Sequence, residues 1–199
     1  MIIKSTFKKA MWYMMVIVIP IVFGVWLIAD EAVLLAGLEY ATATPVLQLL
    51  IFGLIPIFLD FPVGSLLNAA NRQTTKTAII GLTMIISVVM NIILVPRIGL
   101  MGAATSAIVS YSFMFGVGLF FIKQIIPSFS FMDLFNILGR ILISGLGMLF
   151  LGFLAKPYLG WIGLIPFAGV VYLIFLFLTG SIKKEDYLSF KKIFAKTVI

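Results

Sequence analysis

The sequence predicts an all-α integral membrane protein, a bundle of six transmembrane helices with both termini in the cytoplasm. Three observations predict this class: the composition, the number of long apolar stretches, and the distribution of the basic residues. Of the 199 residues, 63% are hydrophobic and 11% are charged. Soluble domains contain about 45–50% apolar and about 25% charged residues. A chain this apolar is therefore expected to lie in a bilayer, with membrane lipids as its surroundings.

Six apolar stretches approach or exceed the roughly 20 residues that cross a bilayer. The first follows the basic leader MIIKSTFKK, and no small-residue cleavage site precedes Asp30 and Glu31, so we interpret it as a helix rather than a secretory signal. An acidic connector at 30–44 follows it. The predicted membrane domain is 1–179, with spans at 10–29, 45–67, 78–96, 99–122, 134–155 and 159–179; residues 180–199 form a cytoplasmic tail, either amphipathic and lying on the membrane or simply solvated.

The basic residues indicate the orientation of these spans. The net charge of +7 arises from 14 Lys and Arg against 7 Asp and Glu. With the N-terminus in the cytoplasm, only Arg97 and Lys156 fall in segments predicted to lie outside. This strong bias places both termini inside under the positive-inside rule. The basic excess is thus a topology signal, and no nucleic-acid partner is expected, because no soluble basic face with polar or aromatic readers is present.

A helical hairpin at residues 76–122 organises the chain. Its two helices meet across the predicted four-residue turn Pro96–Gly99. Small residues let helices approach closely in lipid, and polar residues form hydrogen bonds between helices. Asn91 and its neighbours are therefore either hydrogen-bond partners for a sugar or structural contacts between the two helices, and we favour the latter. Each helix carries a stripe of small or polar residues at four-residue intervals. The stripe is Thr83, Ser87 and Asn91 on the first helix, and Gly102, Ser106 and Ser110 on the second.

Asp60 is the first candidate for a functional residue, because it lies inside an apolar span. A carboxylate at the centre of a membrane helix costs about 2.5–3.5 kcal/mol, so such residues usually face a cavity or a partner. Pro56 and Pro62 free backbone carbonyl groups on either side of it. One interpretation is that Asp60 binds a coupling cation or holds an arginine of the cavity. The other, which we slightly favour, is that it lies near the cytoplasmic end of its helix or pairs with Arg72 across the helix end.

Arg72, Lys76 and Arg140 are the cationic groups predicted near the cytoplasmic mouth. Guanidinium groups match phosphate oxygens in a bidentate geometry, so the arginines could bind a diphosphate. The alternative is that all three are ordinary anchors of the cytoplasmic side, and this alternative is favoured most strongly for Lys76.

The sequence contains no cysteine and no histidine. Disulfides, thiol nucleophiles, the imidazole base and Cys or His metal sites are therefore excluded. No carboxylate pair or nucleophile–base spacing is present either. The sequence accordingly predicts no enzyme activity, no cofactor and no metal site.

Several short motifs occur in an order that resembles the bacterial polysaccharide and O-antigen flippases. These proteins belong to the superfamily of multidrug and oligosaccharidyl-lipid exporters. The resemblance covers roughly residues 10–122 well and the last two spans loosely. In that family five motifs follow one another in a fixed order. They are a Gly-x-x-Tyr connector (37–40 here), a small-polar-Arg loop (68–72), a helix ending in Asn plus aliphatics (91–95), a Pro-x-x-Gly corner (96–99) and a Gly-Ala-Ala helix (102–104).

The resemblance implies the C-terminal part of a flippase that moves a polyprenyl-diphosphate-linked oligosaccharide across the bacterial inner membrane. It also implies a fold in which two helical lobes rock around a central cavity. A complete family member has twelve or more spans, whereas six are predicted here. Because alternating access requires a second half, we expect the chain to be a fragment, a split-gene product or a domain that needs the missing N-terminal half. A drug or cation exporter of the same superfamily, and a membrane scaffold without transport activity, are the alternatives.

Overall fold

The computed structural model of the chain describes residues 2–181, except for the side chain of Asp133. The predicted tail therefore lies, from residue 182 onward, outside the described residues. The described part is all-helical, and five or six of its helices are long and apolar enough to cross a membrane, depending on how the last one is counted. The helices are α1 (Ile2–Leu27), α2 (Ala29–Ala36), α3 (Thr44–Leu50), α4 (Leu54–Ala69), α5 (Gln73–Ile98), α6 (Leu100–Ile125) and α7 (Phe131–Leu178).

The helix α7 is broken at Gly160. Its backbone angles there, φ 60° and ψ 173°, are rarely adopted by residues with a Cβ atom. The two halves fold back on one another, since the hydroxyl groups of Ser144 and Thr179 lie 3.1 Å apart. A Cβ atom at Gly147 would meet the ring of Phe175 at 2.5 Å. The break therefore lies close to the boundary between the two last predicted spans.

Two opposite ends of the bundle are defined by contacts between distant parts of the chain. At the first, which we call the basic end, Arg72 Nη1 donates to Gln124 Oε1 at 2.8 Å and Trp12 Nε1 donates to the carbonyl oxygen of Ser181 at 3.0 Å. At the opposite end, Lys156 Nζ donates to the carbonyl oxygen of Leu27 at 2.9 Å. Successive long helices therefore run in alternating directions.

The helix α1 lies at the centre of the bundle, against α4 and α7. Its side chains at Met11, Met15 and Ile19 are fully buried. The hydroxyl group of Tyr172, on α7, donates to the carbonyl oxygen of Val16 at 3.0 Å. The first helix therefore forms the core on which both halves of α7 and the helix α4 pack.

The acidic connector between the first two predicted spans is itself helical. It consists of α2 and a 3₁₀ segment, Leu38–Ala43, and leads directly into α3. The predicted second span is in turn divided between α3 and α4 by a second 3₁₀ segment, Ile51–Gly53. Short helices satisfy backbone groups that a loop would leave without partners in lipid.

The hairpin turn is shorter than predicted. The helix α5 continues through Pro96 to Ile98, and Gly99 alone separates it from α6. The φ of Gly99 is 58°, and its N–H donates to the carbonyl oxygen of Val95 at 2.9 Å. A proline is tolerated near the end of a membrane helix when neighbouring groups satisfy the freed carbonyl, so Pro96 does not begin the turn.

Candidate functional site

Asp60 and Lys76 form an ion pair inside the helical bundle. Lys76 Nζ donates to Asp60 Oδ2. The side chains are 11% and 13% exposed, respectively. Asp60 lies nine residues before the end of α4 at Ala69, which corresponds to about 13 Å along the helix axis. The carboxylate is therefore well inside the membrane-spanning part of α4, and its charge is compensated by a residue of α5.

Two glycines make room for this pair. A Cβ atom at Gly64, one turn after Asp60, would lie 3.2 Å from Lys76 Cε. A Cβ atom at Gly118, on α6, would lie 2.6 Å from Val63 Cγ1 and 3.6 Å from Asp60 Oδ1. The first glycine gives the lysine side chain a path along α4. The second lets α6 approach and cover the carboxylate.

The second carboxylate oxygen, Asp60 Oδ1, is buried and has no hydrogen-bond partner among the described residues. A buried carboxylate usually accepts hydrogen bonds on both oxygens, because an unsatisfied polar atom costs about 1–3 kcal/mol. Oδ1 is thus an acceptor that a proton donor or a small cation could reach if the helices α4 and α6 separate.

Asp60 does not pair with Arg72, so the partner that the sequence suggested for this carboxylate is wrong. Arg72 is the residue that precedes α5, and its guanidinium group bonds Gln124 at the basic end. Lys76 reaches Asp60 instead, because it lies one turn further into the membrane and its side chain passes over Gly64.

Arg140 lies elsewhere at the basic end. It is exposed and lines a pocket of about 320 Å³ between α1 and α7, together with Lys8, Lys9 and Trp12. The guanidinium group of Arg72 bonds a residue of α6, whereas Arg140 lines a pocket with residues of α1 and α7. The two arginines predicted for a diphosphate therefore belong to different surroundings.

The polar stripes of the hairpin bond within their own helices. Asn91 Nδ2 donates to the carbonyl oxygen of Ser87 at 2.8 Å, and Ser106 Oγ donates to that of Gly102 at 2.8 Å. Such bonding to the carbonyl four residues earlier satisfies a side chain in apolar surroundings. The close approach of α5 and α6 depends instead on Gly102, whose Cβ atom would lie 2.5 Å from the carbonyl oxygen of Leu94. Ser110 is buried, and its Oγ lacks a partner among the described residues.

The importance of Lys76 and Gly64 did not emerge from the sequence. Lys76 resembles any basic anchor beside a predicted span, and its direction depends on how α5 packs on α4. One signal was available: Gly64 follows Asp60 by four residues and so lies on the same face of the helix. A glycine one turn from an intramembrane carboxylate indicates space for a long cationic side chain.

Within residues 2–181, no group of three or more His, Cys, Asp or Glu side chains could hold a metal ion.

Comparison with known proteins supports the membrane assignment. The chain is 27% identical, over 122 residues, to the uncharacterized membrane protein MJ1068 of Methanocaldococcus jannaschii. The match covers 60% of this chain but 24% of that protein. No protein-family model matches the sequence, and no solved structure does. The long apolar helices and this relative together identify a multi-pass membrane protein.

Proposed function

We propose that this chain is one lobe of a flippase that moves a polyprenyl-diphosphate-linked oligosaccharide across the bacterial inner membrane for surface polysaccharide synthesis. The observation that carries the proposal is the order of the motifs around the hairpin, from the polar loop at 68–72 through Asn91 and the corner at Gly99 to Gly102. A lone glycine motif is common in membrane helices, but this order and spacing are specific. The proposal includes a second helical lobe, since alternating access requires one.

The orientation belongs to the same proposal. We place the basic end in the cytoplasm, because Lys4, Arg72, Lys123 and Arg140 lie in that part of the chain and the positive-inside rule governs such segments. Lys156 and Arg97 then lie on the outer side. The acidic residues Asp30 and Glu31 also lie there.

The ion pair supplies the proposed coupling element. Charged residues within membrane helices are rare and mark ion or substrate pathways. In this proposal a proton or cation reaches Asp60 when α4 and α6 separate, and Lys76 replaces it when they close. The same element fits a drug or cation exporter, which is the second candidate function favoured by this pair.

Deletion of the gene in its host tests the proposal. A flippase lobe predicts loss of surface polysaccharide and accumulation of lipid-linked oligosaccharide on the cytoplasmic leaflet. Sensitivity to cationic drugs with intact surface glycans would support the exporter instead. The absence of both phenotypes would support a scaffold. Complementation with Asp60→Asn then tests the site: full restoration of export with unchanged ion dependence would exclude a coupling role for Asp60.

A further inference from the structure

We infer that the pocket between α1 and α7 at the basic end binds the phosphate headgroup of an anionic membrane lipid. The pocket has a volume of about 320 Å³, at the lower limit of small-molecule sites, which are typically about 300–1,000 Å³. It is distinct from the Asp60–Lys76 pair. It is lined by Lys8, Lys9, Trp12, Ile137, Arg140, Gly180 and Ser181.

The charge of the pocket favours an anion. Among residues 2–181, three of its lining side chains are cationic and none is acidic. Lys9 and Arg140 are exposed, so both remain accessible to a ligand at the membrane surface. A guanidinium group and an ammonium group facing one space bind phosphate oxygens through charge-assisted hydrogen bonds.

The depth of the pocket matches the headgroup layer. The opposite end of the bundle is marked by the bond from Lys156 to Leu27, and Lys9 lies eighteen residues before Leu27 on the same helix. Eighteen residues of α-helix rise about 27 Å, close to the roughly 30 Å thickness of the hydrocarbon core. Lys9 and Arg140 therefore lie where lipid phosphates do.

Trp12 fixes the wall of the pocket. Its Nε1 donates to the carbonyl oxygen of Ser181, joining α1 to the residues just after α7. Tryptophan is enriched at this level of membranes because its ring is apolar and its N–H group is polar. Basic pockets between helices at the cytoplasmic side are sites for anionic headgroups. The lipid phosphate has two possible sources, an anionic phospholipid and a polyprenyl diphosphate, and the inference holds for either.

Native mass spectrometry of the full chain in detergent tests the inference. The protein is titrated separately with phosphatidylcholine, phosphatidylglycerol and undecaprenyl diphosphate. We expect phosphatidylglycerol or undecaprenyl diphosphate to bind more tightly than phosphatidylcholine, and the double variant Lys9→Gln/Arg140→Gln to bind that lipid at least about tenfold more weakly, because two charge-assisted bonds are lost. The lipid whose affinity falls more in the double variant is the source of the phosphate.

The matched control is Lys123→Gln/Arg97→Gln, which removes the same charge from exposed positions outside the pocket. It should bind as the unmodified chain does, and so should Lys9→Arg/Arg140→Lys, which keeps both charges. Equal weakening by both double variants would overturn the inference, because it would show attraction by net charge alone. Equal affinity for phosphatidylcholine would overturn it as well. All four substituted positions are exposed and Trp12 is unchanged, so the fold should be kept in every variant. Monodispersity in detergent checks this.

Discussion

Lys156 Nζ donates a hydrogen bond to the carbonyl oxygen of Leu27, 2.9 Å away, at the last residue of α1. The last carbonyl groups of a helix have no partner within it, and a cation there also interacts favourably with the helix dipole. The same ammonium group lies 3.1 Å from Glu31 Oε2. One lysine of α7 therefore joins the end of the central helix to the start of α2.

Replacing Lys156 with methionine should lower the stability of the protein modestly. The lysine side chain is 26% exposed, so water replaces part of what is lost, and we expect a decrease of about 1 kcal/mol, or about 2–4 °C in Tm. Thermal unfolding in detergent measures this decrease in stability. Lys156→Arg keeps the charge and should lose less; an equal loss in both variants would contradict a role for the ammonium group's charge.

The buried ion pair predicts strong coupling between Asp60 and Lys76. Either Asp60→Asn or Lys76→Met leaves one buried charge without its partner, which costs about 3–5 kcal/mol. The double variant should be more stable than the sum of the two losses predicts, because neither charge remains. Unfolding of all three variants in mixed micelles gives the coupling energy.

The control for this cycle is Asp30→Asn. Asp30 is 64% exposed and lies 4.0 Å from Lys156, so its loss should change stability by at most about 0.5 kcal/mol. Additive losses at positions 60 and 76 would show that the two side chains do not depend on one another.

The hairpin predicts that Gly102 tolerates no side chain. In Gly102→Ala the new methyl group would lie 2.5 Å from the Leu94 carbonyl oxygen and 2.9 Å from the Val95 nitrogen. These are backbone atoms, so α5 and α6 must separate, at about 1–3 kcal/mol. Gly116→Ala, on the same helix with nothing within 4 Å, should be neutral or stabilising by up to about 1 kcal/mol. Similar unfolding curves for both variants would refute the close approach.

The orientation predicts which positions a membrane-impermeant maleimide reaches. The chain contains no cysteine, so single replacements need no altered background. Arg97→Cys should be labelled in intact cells, and Lys123→Cys only after permeabilisation, because they lie at opposite ends of α5 and α6. Labelling in the reverse order would invert the proposed topology.

The long helices were predictable from composition and length, because lipid requires continuous helices of a minimum length. Gly102 and Gly99 were also identified by their place in the hairpin pattern. The helical structure of the connector Ala29–Ala36 was not predicted, since short acidic segments resemble loops. The partner of Asp60 could not be predicted from the sequence either. Arg72 and Lys76 lie one turn apart, and only the packing of α5 on α4 over Gly64 shows which of them reaches the carboxylate.

Asp60 and Lys76 are 16 positions apart in the chain, so the ribosome delivers the acid before the base. We therefore expect α4, with its carboxylate still uncompensated, to settle in the bilayer only once α5 has brought Lys76. Insertion of these two segments is thereby a joint event.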